Sequence, residues 1–543
     1  MNIRALLAAL LLTPSFLALA EGASQADAVR LLRQASFGPT ESEVAHVMDV
    51  GVEAWVDEQL ALPATSYPVY PYVAANRPQT CVDNRAAPLT ATSFCARDNY
   101  SLFLLQRQFL KDAVEGRDQL RQRVAFALSE IFVTSGVDNS RNYAMRHYQQ
   151  IFRDRAFGTY GDLLRAVTLS PVMGDYLDMV NNNRANAVAM TQPNENYGRE
   201  ILQLFSIGTV VLAPDGTPQV DAGGRPIPTY QQDEIEGFAH VFTGWTYATI
   251  PGARARNNNP RNYEGDMIPV DANHDFGSKV LLGGVTAPAG LTVRADLEFA
   301  LANIVSHPNV GPFIGRQLIQ KLVASEPSPE YVARVAAVFA DNGAGRRGDL
   351  KAVVRAILLD PDARGARGGD ARDGKLSEPV LYLTAMARAF GGQTDGVYFR
   401  AASSTLSQFV FYAPSVFNFY PPGYVVPGTD LNGPEFALQT TATAINRANV
   451  AYSLIFSGTI APDPTVFGAT GTSITLAPYQ AVAADASALV DRFDQMLMGG
   501  RMPGAMRDAI VAAVNAVPAA DSLGRARAAA YLVISSPSFQ VEY

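Results

Sequence analysis

Residues 194–208 read NENYGREILQLFSIG, and this stretch decides the fold class. Tyr197, Ile201, Leu204 and Phe205 recur at i, i+4, i+7 and i+8, the period of one buried helical stripe. The spacing predicts a helix from Asn194 to Ile207 that stops at Gly208, a residue free to take the left-handed turn of a C-terminus. Glu195 and Arg199 stand at i, i+4 and are expected to pair on the adjoining face. Glu200 lies roughly 140° round from Glu195 at about 100° per residue. The two carboxylates therefore do not share a face of this helix.

The same grammar recurs on both sides. Thr40 to Glu43 form a capping box, and Leu120 to Val133 read as a largely buried helix. Ser170-Pro171, Ser328-Pro329 and Glu378-Pro379 place proline at a first helical position. The last of these helices is expected to run to Phe390. Asp349 should open Leu350 to Leu359. Three more helices are expected at about Ala486 to Met498, Pro503 to Val514 and Ser522 to Ile534. Strand signals are few. Val210 to Leu212, the Asp215-Gly216 turn and Gln219 to Asp221 predict a small β-hairpin, and Lys279 to Leu282 a short strand. Residues 246–272 and 412–434 are expected to be long irregular loops. The expected fold is mainly α: one large multi-helix domain over 21–543, with possible halves at 21–290 and 291–543.

The chain starts with Arg4, an apolar run from Ala5 to Leu17 and a small-x-small site at Ala18-Leu19-Ala20. That is the form of a secretory signal peptide over residues 1–20, and it is shorter than the ~20 apolar residues of a membrane span. The expected location is periplasmic or secreted. Cys81 and Cys95 are the only two cysteines, and in an exported chain they are expected to form one disulfide. The net charge is −8 and no cluster of Lys and Arg interrupts it, which argues against nucleic acid as a partner.

Several polar groups are candidates for chemistry. A helix expected to open at Thr229 to Gln232 carries Asp233, Glu236 and His240 on one face. Such a set can bind a divalent metal, although a salt-bridged face is its commoner use, and no metal is assigned. His274-Asp275 follows an Asn-rich stretch, with Lys279 close behind. An imidazole beside a carboxylate and an ammonium suits general acid–base work. The equally simple reading is a turn cap and an ion pair. There is no GxSxG elbow, HExxH helix, P-loop or Rossmann fingerprint, so no cofactor is expected.

Beyond NENYGRE, the chain carries Arg30-Leu31-Leu32-Arg33, Phe242-Thr243-Gly244-Trp245, His274-Asp275-Phe276-Gly277 and Ser536-Pro537-Ser538-Phe539. In these motifs it resembles the bacterial family called domain of unknown function 1800, over nearly its whole length. Gly198 departs from the family's usual Ala. Ala127 to Ile131 replaces an aromatic-His-Asn-His run found in many members. The resemblance implies export, a helical fold and no established activity, and it suggests an exported sulfatase-like companion protein as partner. On the residues themselves, the expectation is a hydrolase of a cell-envelope or extracellular polymer, with a pocket of Glu195, Arg199, Glu200, His274, Asp275 and Lys279. The alternative is a non-catalytic binding or assembly protein, with the aromatic loop 412–434 as its interface.

Overall fold

Helices begin readily where short polar side chains can satisfy the first free amides, and several do so here as the sequence predicts. In the computed structural model, which describes residues 22–86, 88–90, 92–365 and 372–543, Thr40 caps Glu41–Val50 by accepting from the Glu43 amide. Ser328 caps Pro329–Ala340 and Asp349 caps Leu350–Leu359. The buried helix spans Gln119–Ile131. Pro379 opens the wholly buried helix Pro379–Ala389. The chain is mainly helical. Its strands are two-residue pieces in small antiparallel sheets, among the described residues. The expected signal peptide lies outside those residues, and within them no helix is long and apolar enough to cross a membrane.

Three boundaries differ from expectation for local reasons. The helix of the NENYGRE stretch covers Asn196–Gln203 and stops a turn early. Past it the amides reach five or six residues back, Phe205 to Glu200 O and Gly208 to Leu202 O, and the Ser206 hydroxyl takes Ile201 O at 2.5 Å. Wide turns thus replace the last α-turn. Gly208 has φ +69°, and a Cβ there would run into the Phe313 ring. The next helix is Gln232–Val241, with its capping box between Gln231 and Glu234; Thr229 instead bonds Gly208 O. The predicted hairpin forms only as isolated bridges, Leu212 with Pro218, Val220 with Pro226 and Val210 with Pro228. Proline lacks the amide that a regular ladder needs. Lys279–Val280 does form a strand, paired with Thr286–Ala287.

Cys81 and Cys95 are joined, with Cα atoms 5.2 Å apart. One continuous set of buried apolar side chains runs from Ala28 to Phe539. The first described helix, Gln25–Ala35, packs beside residues 494–498 and the strand Val541–Glu542. That strand pairs with Lys375–Leu376. This pairing, together with the crossing of Gln119–Ile131 against Val310–Leu322, fixes the charged centre of the molecule.

Candidate functional site

Gln119–Ile131 is buried along almost its whole length, yet it carries Arg123 and Glu130 two turns apart. Both point into a cluster of charges that the apolar core does not dissolve. Val310–Leu322 brings Lys321, whose Nζ lies 3.4 Å from Glu130 Oε2. Pro379 forces the residue before it out of helical conformation, so Glu378 is extended at φ −63° and ψ 157°. From there its Oε2 accepts from Tyr420 OH at 2.8 Å and Gln408 Nε2 at 2.5 Å. Asn418, at φ +60°, donates to Glu130 Oε1 at 3.0 Å; asparagine tolerates that left-handed backbone better than most residues. Lys375 donates to Lys321 O at 3.0 Å and stands 3.5 Å from Glu435 Oε1. Ser325 holds the other Glu435 oxygen at 2.7 Å, and Arg123 donates to Lys321 O.

The two central carboxyls have unlike environments. Burial pushes Glu130 up to about 8, the neighbouring Glu378 adds to the rise, and Lys321 only partly opposes it. Burial acts on Glu378 in the same direction, but Lys375, Lys321 and Arg123 outweigh it and hold that group down to about 2. The two carboxyls act on each other, Glu378 raising Glu130 and Glu130 lowering Glu378. Glu130 Oε2 and Glu378 Oε1 are also the two oxygens of the pair without a hydrogen-bond donor, although the Lys321 ammonium stands 3.4 Å from the first. One proton, carried by Glu130 and shared with ionised Glu378, accounts for both. Tyr420 keeps its own proton, because burial and then the carboxyls Glu130, Glu378 and Glu435 raise it far above the usual phenol range.

Glu130 is the less enclosed member of the pair, although its side chain is only 3% exposed. As a whole residue it is 7% exposed, against 0% for Glu378. It lies in the wall of a cleft of ≈ 240 Å³ that also presents Lys321, Gln203, Gln317, Phe417 and Tyr420. A perturbed carboxyl in a cleft is the usual mark of a functional position. The proton has a thermodynamic signature. An unfolded glutamate loses it around the usual 4.5 and the folded one only near 8, so between those values the folded chain binds more protons. Stability therefore falls as pH rises through that window, by at most about 1.4 kcal/mol per pH unit. Glu130→Gln is expected to flatten this slope in urea midpoints taken from pH 5 to 8. Parallel curves for the two proteins would contradict the assignment.

The six residues singled out from sequence do not meet in that cleft. His274 and Lys279 are sealed in the interior around Asp296. His274 Nε2 is 2.9 Å and Lys279 Nζ 2.6 Å from Asp296 Oδ2, and all three are at most 2% exposed. His274 Nδ1 faces Thr243 O at 2.9 Å, and Lys279 also donates to Asp275 O and Gly277 O. Asp275 turns outward to His240, at 2.7 Å. Glu195 pairs with Arg199 at 2.9 Å, as the spacing implied, on a half-exposed surface where Gln232 also holds Glu195. Gln232 and His240 sit on one helix, roughly 12 Å apart along its axis at about 1.5 Å per residue, so the two groups are separate. Glu200 has one buried oxygen without a donor, and burial raises its titration. Asp233 and Glu236 do not join His240, and among the described residues no group of three or more His, Cys, Asp or Glu side chains is placed to hold a metal ion.

Glu130 falls inside Ala127 to Ile131, where the motif resemblance breaks. The family model described as "Protein of unknown function (DUF1800)" matches residues 30–541. The chain belongs to this family. Neither the curated proteins nor the solved structures yield a match. The carboxyl in the cleft was missed in the sequence because it interrupts a helix whose other positions read as core. That interruption, one acid in a buried run, was the available signal.

Proposed function

We propose that this protein is an exported hydrolase of a cell-envelope or extracellular polymer, with Glu130 as its general acid. The observation that carries the reading is a carboxyl that keeps its proton through neutrality at the wall of a cleft. A protonated carboxyl donates to a leaving oxygen, and the resulting carboxylate can then take a proton from the attacking water. Glu378 is a positioning residue: it is sealed behind Glu130, and its fixed negative charge holds the proton on its neighbour. Lys321 would steady the carboxylate formed after transfer. Phe417 at 44% exposure and the amides of Gln203 and Gln317 suit a neutral, hydroxylated chain that stacks and hydrogen-bonds.

The test is a polymer-hydrolysis screen of the mature protein against Glu130→Gln. The variant keeps a hydrogen-bond donor toward Glu378 but has no proton to give. Turnover is expected to fall by about 100-fold or more, with the melting temperature at neutral pH kept or raised. Equal turnover in the two proteins would remove Glu130 from the chemistry.

A second reading, a binding or assembly protein working with an exported sulfatase-like partner, is favoured by the same exposed Phe417. A large aromatic at the rim of a cleft is a common interface anchor. The rest of the aromatic loop serves it less well, since Tyr420 is buried and Tyr412 packs on the core. Under this reading Phe417→Ala loses a partner retained from the exported fraction, whereas Glu130→Gln keeps it.

A further inference from the structure

Far from the Glu130 cleft in sequence and in lining residues, a second cavity of ≈ 350 Å³ opens between the helix Gln25–Ala35, residues 497–503 and the C-terminal segment. Arg30, Arg33 and Arg501 line it, and among the described residues no Asp or Glu side chain does. The arginines are held in place from behind. Arg33 donates to Leu497 O, Ser377 Oγ and Phe539 O and stacks on Phe539, 4.8 Å from the ring centre. Arg30 donates to Arg364 O and Gly365 O. Arg501 lies 4.8 Å over Tyr543. Each still has a buried N–H donor without an acceptor: Arg30 Nε, Arg33 Nε and Arg501 Nη1. Arg30 and Arg33 are 9% and 8% exposed.

Three guanidiniums facing one small space repel each other, and buried donors left unmade are costly. The acids nearby do not resolve this. Asp27 is 3.9 Å from Arg30, with its side chain 40% exposed. Glu542 accepts from Ser377 through one oxygen and acts on Arg33 through space, but it does not line the cavity. Asp373 acts on Arg501 only through space. Ala26, Val29, Leu497, Met498 and Val541 give the lining an apolar part, with Ser538 and Tyr543 beside it. Arginine forks match the paired oxygens of carboxylates and phosphates.

We propose that this cavity is a binding site for an organic oxyanion, a carboxylate or phosphate monoester attached to a short apolar group. The anion would sit against the three guanidiniums and the apolar group would cover Leu497 and Met498. The site is independent of the Glu130 reading, and either can fail alone.

Equilibrium dialysis and calorimetry with hexanoate and with butyl phosphate, at constant ionic strength in chloride, test it. Saturable one-to-one binding of at least one probe is expected, and the tighter of the two tells carboxylate from phosphate. Hexanol and inorganic phosphate should bind more weakly than the probe that joins both features. Arg501→Gln should weaken binding about tenfold or more while leaving the probe-free melting temperature near that of wild type. If that variant folds poorly, Arg501→Lys, which keeps the charge and loses the fork, is expected to give the same direction of change. No saturable binding to wild type at millimolar probe overturns the proposal, as does undiminished binding in a folded Arg501 variant.

Discussion

Lys375→Met is expected to lower the unfolding free energy by about 3–5 kcal/mol at neutral pH, the usual cost of stripping one partner from a buried ion pair. The methionine fills most of the lysine's volume, so the loss reports charge and hydrogen bonding more than a cavity. Lys375 is wholly enclosed, bonded to Lys321 O and facing Glu435. It is also the first of the cations that keep Glu378 ionised against burial. The sign with pH follows. A carboxyl held below its unfolded value stabilises the fold above that value, and the contribution is lost as pH falls through the folded one. Wild type therefore loses the Glu378 contribution between about pH 4.5 and 2, whereas the variant lacks it from the start. The gap between the two urea midpoints should be widest at neutral pH and narrow toward pH 3. A loss under about 1 kcal/mol, or one that does not change with pH, would mean that the cations do not set the state of the carboxyl pair.

Asp296→Asn is the second large effect, again about 3–5 kcal/mol. The substitution is nearly isosteric, so packing hardly changes. It leaves the Lys279 ammonium in the interior with only neutral acceptors, the carbonyls of Asp275 and Gly277 and the new amide, and that one amide must also serve His274. The comparison that gives this meaning is Glu195→Gln. That change breaks an ion pair of similar length on a half-exposed helix face, where about 0.5 kcal/mol or less is expected. Denaturant titrations of the two variants should therefore separate widely. If Asp296→Asn is as mild as Glu195→Gln, the sealed histidine–aspartate–lysine group is not a structural tie, and a catalytic role for His274 regains ground.

Periodicity carried the helical architecture because it depends only on which faces are apolar. The start at Thr40 and the long run of Gln119–Ile131 followed directly. The i, i+4 pairing of Glu195 with Arg199 was legible for the same reason. What local pattern could not supply was the direction in which a loop folds. His274-Asp275 stands in an irregular segment and looks exposed, but its two side chains part company, the first inward to Asp296 and the second outward to His240. Asp296 belongs to a different helix, Val293–Ser306, 22 residues on. The Glu130 cluster is harder still. It joins residues from six separate stretches between Arg123 and Glu435, each unremarkable in its own surroundings. The ends of the predicted NENYGRE helix and of the next one moved because a serine and a threonine hydroxyl found carbonyl partners that a capping rule does not weigh.

The strand Val541–Glu542 closes over Lys375–Leu376, and Glu542 reaches Ser377, 165 positions earlier. Ser377 precedes Glu378, so the backbone that aims this carboxyl is clamped by a strand 165 positions further along the chain. Contacts of such long separation form late and slowly. A growing chain would hold Lys375–Leu376 with that clamp open until residues 541–542 had also emerged. The charged centre would then close as a late step, with the acid pair unformed in every intermediate that lacks this strand.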